Sequence, residues 1–192
     1  MKYLGLFTLI FICNLSTQAQ FTTNVYWTED SGIPNSNIIY YHPDKKLQWN
    51  DFLGNPVLTG NVAAITMSGF GYKASIKNNR KKGELSVAVY CYFSKYKSWV
   101  KPTKKSVYIL NHEQHHFDVS FIAATMFATK LKNADINNKN YNDILPKLYQ
   151  ECCDLMNKMQ DDYDGQTKNG QLKDVQEKWN TFFNKRLLAI TN

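Results

Sequence analysis

Residues 110–118 read LNHEQHHFD, and within them His112, Glu113 and His116 spell H-E-x-x-H. On an α-helix, residues four apart lie about 40° apart around the axis and one turn along it. Two imidazoles so spaced can grip one cation from the same side. Zn2+ accepts neutral imidazole nitrogens at about 2.0–2.1 Å, and a catalytic site keeps one position for water. Glu113, beside the first histidine, is placed to take a proton from that water and return it to a leaving group. The chemistry expected is hydrolysis assisted by Zn2+.

The motif carries that meaning only on a helix. Leu110, Phe117, Phe121, Ala124, Ala128 and Leu131 recur at intervals of three, four and seven, which predicts an amphipathic helix. Ser106 is its expected cap and Lys132 its approximate end, so the motif falls in the first half.

A catalytic zinc takes three protein ligands, and two histidines leave one to find. No histidine follows His116, so a carboxylate from the later half of the chain is the natural supplier. Asp118 points about 200° away from His116 around the same helix, which makes it a packing or supporting partner. Glu151 and Asp154 sit mid-helix, where acids are ordinarily solvated. Asp164 stands where the second helix is expected to end, in an irregular segment that can be shaped around a site. It is the expected third ligand. His115 flanks the same face as His112, and Tyr163 adjoins Asp164. Each is a candidate contact to substrate or to a tetrahedral intermediate. His42, just before Pro43, reads as a surface histidine in extended backbone.

The elements that would position these residues form an α+β pattern, a small antiparallel sheet followed by three helices. A short strand is expected at residues 47–52 and a longer one over 62–76. A turn at 78–83 leads to a third strand over 85–94. In that last strand Leu85, Val87, Val89, Cys91 and Phe93 share one face, as a half-buried hairpin requires. After the motif helix, Leu145, Leu148, Cys152, Leu155 and Met159 mark a second helix starting near Asn142 or Asp143 and fading by 161–165. Leu172, Val175, Trp179, Phe182 and Phe183 mark a third, running to about Leu188.

The chain has 192 residues and a net charge of +7, with 43% hydrophobic and 14% aromatic residues. That composition excludes a disordered chain. The basic residues are scattered and no nucleic-acid motif accompanies them, so no nucleic-acid partner is expected. Lys2, an apolar run over 3–13 and small residues ending at Ala19 form the pattern of a secretory signal peptide cleaved after Ala19. The expected product is one secreted or periplasmic domain, residues 20–192, with no transmembrane segment. Cys91, Cys152 and Cys153 remain in it. Cys91 paired with Cys152 or Cys153 and three small buried hydrophobes are both open.

Residues 47–54 (LQWNDFLG), 98–100 (SWV), 111–118 (NHEQHHFD), Tyr163-Asp164 to Gly170, then Gln176 and Trp179, occur in an order that resembles a bacterial family of unknown function. That family is described as predicted secreted zinc-dependent proteases. The resemblance spans nearly all of residues 20–192 and implies export, a single zincin-like domain and metallopeptidase activity on peptides or proteins. The family pattern carries a histidine where this chain has Asn169. An amide is a poor zinc ligand, so the resemblance implies that Asp164 serves instead or that the site is weakened. A non-catalytic exported metal-binding or interaction protein is the alternative expectation.

Overall fold

The structure, a computed structural model, describes residues 20–78 and 82–191. The expected signal peptide and residues 79–81 of the expected 78–83 turn lie outside the described residues. Strands come first and three helices follow, as the α+β pattern requires.

The sheet is built on one long strand, β5 (Lys82–Ser94). Its inward residues Leu85, Val87, Val89, Cys91 and Phe93 are all buried. β4 (Ser68–Asn78) pairs antiparallel along almost its whole length, from Asn78 opposite Gly83 to Ser68 opposite Phe93. Two shorter strands must then share the other edge. β1 (Gln20–Trp27) pairs parallel with residues 82–89, and β2 (Ile38–Tyr40) pairs antiparallel with residues 92–94. The sheet is therefore mixed, where an all-antiparallel one was expected. A parallel pair needs a long crossover, and β1 finds its partner some sixty residues away, so no local turn signal announces it.

Two other expectations are corrected here. Residues 62–76 form two strands, because the chain changes sheets: β3 (Ala64–Ile65) pairs with β6 (Trp99–Val100), and β4 begins at Ser68. Residues 47–52 form a single 3-10 turn at Trp49–Asp51 in place of a strand. There the Asp51 carboxylate accepts from the Gln48 N–H and the Asp51 N–H bonds to the Gln48 carbonyl, which closes the chain on itself. The Leu47 N–H is taken by the Gln114 side chain at 2.8 Å, leaving no ladder for a strand.

α1 (Val107–Asn133) starts at Ser106, whose hydroxyl caps the Ile109 N–H. It is buried on nearly every side. Phe117, Phe121, Phe127, Ala128 and Leu131 pack on the sheet, while Val119 and Ile122 pack with Tyr163 and Phe183 of the later helices. α2 (Tyr141–Thr167) and α3 (Lys173–Thr191) cover that second side. Among the described residues no helix is long and apolar enough to cross a membrane.

α2 does not fade at 161–165 but runs through Gly165 to Thr167. It stops there because Lys168, Asn169 and Gly170 all adopt left-handed backbone. On α3 the buried stripe also differs from the apolar one expected. Gln176 is buried alongside the expected Phe183, whereas Phe182, and Leu172 just before the helix, are about 40% exposed. Polar Gln176 holds a core position because of what it touches. The three cysteines Cys91, Cys152 and Cys153 are free, with the first two buried and the third half-buried.

Candidate metal centre

α1 sets His112 and His116 one turn apart on the side facing α2, and their Nε2 atoms are 3.3 Å apart. Asp164, on the last turn of α2, brings Oδ1 to 3.1 Å from each of these nitrogens. The expected third ligand thus meets the two histidines, from a helix and not from an irregular segment. The three residues are the cluster of potential metal ligands found among the described residues.

The rings are held from behind by amides. Gln160, one turn before Asp164 on α2, donates its Nε2–H to the His116 carbonyl at 2.9 Å, so its oxygen faces His116 Nδ1. Gln176 donates to Asn180 Oδ1 and to the Tyr163 hydroxyl, so its oxygen faces His112 Nδ1 at 2.9 Å. The Gln160 amide is oriented by a backbone carbonyl, so His116 Nδ1 must carry the hydrogen, and with the Gln176 and Asn180 amides as they stand His112 Nδ1 carries one too. The neutral form of both rings then turns a bare Nε2 lone pair toward the same point. Two lone pairs and a carboxylate oxygen converge with only each other for company. A proton or a cation has to stand between them.

The spacing suits a cation. Ligands at about 2.0–2.1 Å on the corners of a tetrahedron lie about 3.3 Å apart. The three observed separations, 3.1, 3.1 and 3.3 Å, match that edge. Metal-ligating histidines characteristically donate their second N–H to an oxygen, as both do here. The residues present fit zinc.

Electrostatics follow from the same contacts. Burial works to raise the Asp164 carboxyl, but the His112 and His116 rings beside it hold it well below the usual range. Burial works to lower His116, yet its bond to Asp164 and the nearby Glu113 charge lift it above the ordinary value. Glu113 is 4% exposed, and burial pushes its carboxyl up although His116 and His112 pull it back. α1 is tied down here by the sheet: Thr66 donates to the Glu113 carbonyl at 3.1 Å and Ser68 to that of His116 at 3.2 Å.

His115 and Tyr163, expected as contacts to substrate, are placed behind the site. Tyr163 is fully buried, stacks on the His112 ring at 4.6 Å and presents its edge to His116. Its hydroxyl is engaged by Gln176 and the His112 carbonyl. His115 is 4% exposed, with Nδ1 on Asp118 at 2.8 Å and Nε2 on Asn180 at 3.0 Å. Asp118 is the supporting partner expected of it, and also accepts from Tyr41 and Gln114. His42 is nearly half exposed and lies near Asp44. Asn169 is exposed, and its backbone N–H caps the Asp164 carbonyl at 2.8 Å.

Gln160 and Gln176 escape a reading that looks for ionisable ligands. Gln160 could have been found from its spacing, four residues before Asp164 and hence on the same helix face. Gly170 is a further supporting position. Its φ is +76°, and a Cβ there would sit 3.2 Å from His112 Nδ1. No family model, curated protein or solved structure matches the chain.

Proposed function

We propose that the protein is an exported zinc-dependent hydrolase that cleaves peptide bonds. The observation that carries this reading is the convergence of two tautomer-fixed imidazoles and one carboxylate at the ligand spacing of tetrahedral zinc. His112, His116 and Asp164 would hold the ion. Zinc in such a site supplies a Lewis acid that polarises a carbonyl and lowers the pKa of a water. Glu113 is the general base: it accepts a proton from the attacking water and delivers it to the departing amine. Its burial raises its proton affinity toward the operating pH, which suits both halves of that task. The peptide as substrate, and export itself, rest on the resemblance and on the leader pattern.

A non-catalytic metal-binding protein is the second reading, favoured by how little of the site is open. The His112 and His116 side chains are 6% and 12% exposed, and only Asp164, at 39%, reaches the surface appreciably. Zinc content does not separate the two, but Glu113→Gln does. The hydrolase reading expects this variant to keep its zinc and lose peptide cleavage by about 10²–10⁴-fold. Equal inertness of both proteins over a broad peptide library would establish the binding reading.

A further inference from the structure

β5 has a gap along the edge shared by β1 and β2. β1 ends at Trp27 opposite Val89, and β2, running the other way, ends at Tyr40 opposite Tyr92. Between them no strand among the described residues pairs with residues 90–91, although the Tyr41 N–H donates to the Cys91 carbonyl at 3.0 Å, and a cavity of about 390 Å³ opens there. Trp27, Tyr40, Tyr41 and Phe121 line it with Glu29, Thr28, Pro43 and Cys91. Such a volume is within the range of small-molecule sites. It shares no residue with the metal centre. Phe121 lies five residues beyond His116 on α1, about 140° around the helix.

We infer that this cavity is a second binding site, for a quaternary or substituted ammonium group. Four aromatic residues and one glutamate line it, and no basic residue does; Trp27 and Tyr41 meet Phe121 on the α1 face of the sheet, whereas Tyr40, opposite Tyr92, is on the other face. The face of an aromatic ring attracts a cation through its quadrupole, and groups of aromatic rings are a recurring means of recognising quaternary ammonium groups. The walls are set in advance. Tyr41 lies flat on Phe121 at 4.1 Å and its hydroxyl is anchored on Asp118. Trp27 leans on Phe121 at 5.4 Å and remains 47% exposed. Tyr40 is anchored by the Ser31 hydroxyl and backbone N–H, both at 2.7 Å. Neighbouring Asp30 is neutralised by Lys73 at 2.8 Å, whereas Glu29 has no ion pair among the described residues. Burial pushes the Cys91 thiol up, which keeps that wall uncharged and apolar.

The test is titration of the full chain with choline and with 3,3-dimethyl-1-butanol, its neutral carbon analogue, followed through the Trp27 indole N–H resonance. Nα-acetyl-trimethyllysine amide in a parallel arm distinguishes a peptide-borne ammonium from a headgroup; binding of either supports the site. Choline is expected to saturate the shift and to bind at least about fivefold tighter than the neutral analogue. Glu29→Gln should weaken it by a similar factor, and so should Trp27→Ala, followed in that variant through the backbone amide resonances of Thr28 and Glu29, with zinc uptake unchanged. Both side chains are exposed, and Glu29→Gln preserves shape, so loss of folding does not confound the result. Equal binding of choline and its analogue, indifference to both substitutions, or no saturable shift by either ammonium at about 50 mM would overturn the assignment.

Discussion

Nδ1 of each motif histidine faces a glutamine oxygen, and the other end of each amide is spent on an acceptor, a backbone carbonyl for Gln160 and the Asn180 side chain for Gln176. Such outer partners set ring orientation and tautomer, and losing one typically lowers metal affinity about 10–100-fold. Gln160→Leu and Gln176→Leu are each expected to weaken zinc binding by that factor, as read by competition with a chelating dye. Unchanged affinity in both would remove the tautomer argument. The same atoms set a pH dependence in the metal-free protein. The carboxyl of Asp164 is depressed, so its stabilisation is present above the unfolded value of about 3.9 and is lost as pH falls through the depressed one. His116 is raised, so its stabilisation is present below about 6.5 and is lost as pH rises through the raised value. Metal-free protein should therefore melt highest in the mildly acidic range, and lower at pH 8. Zinc, which replaces the proton on His116, should restore the melting temperature at pH 8 and do little at pH 5. Melting curves with and without zinc at the two pH values check both signs.

At the scale of elements, α2 and the turn after it place Asp164 and close the back of the site. Three left-handed residues in a row end the helix, and the last, Gly170, lies directly against the His112 ring. Gly170→Ala puts a Cβ 3.2 Å from Nδ1 on a backbone that costs an L residue about 1–2 kcal/mol. A lower melting temperature and weaker zinc binding are expected together; a fall in the first alone would uncouple the turn from the site. How much of this was legible in the sequence depends on whether the governing signal was local. Ser106 and the apolar spacing that follows it define α1 because cap and period are short-range features. The alternating residues of β5 are legible for the same reason. β1 is not, since its partner lies far along the chain. The end of α2 was misplaced because Gly165 weakens a helix by only about 1 kcal/mol, and packing outweighs it. Residues 47–52 misled because their apolar alternation says nothing of Gln114, which takes the backbone N–H a strand would have used. The acid that a ligand count asks for from the later half of the chain, Asp164, does stand beside the two histidines, on a helix and not in an irregular segment. The amides were missed because a glutamine on a buried stripe has no signature of its own.

Over the whole molecule, α1 is held between the sheet and the α2–α3 pair, and both layers reach it at the motif. Thr66 and Ser68 bond to its carbonyls from one side, while Gln160, Tyr163 and Gln176 support its rings from the other. Packing of this kind leaves His112 and His116 little freedom to swing toward a ligand, so the geometry in place is the one an ion meets. The most direct measurement is a crystal structure of zinc-loaded protein, with the ion identified by anomalous scattering at the zinc edge. A single ion should lie about 2.0–2.2 Å from Nε2 of His112, Nε2 of His116 and Oδ1 of Asp164, with Glu113 uncoordinated. A zinc-soaked crystal with no ion between those three atoms, or with zinc bound elsewhere, would contradict the account.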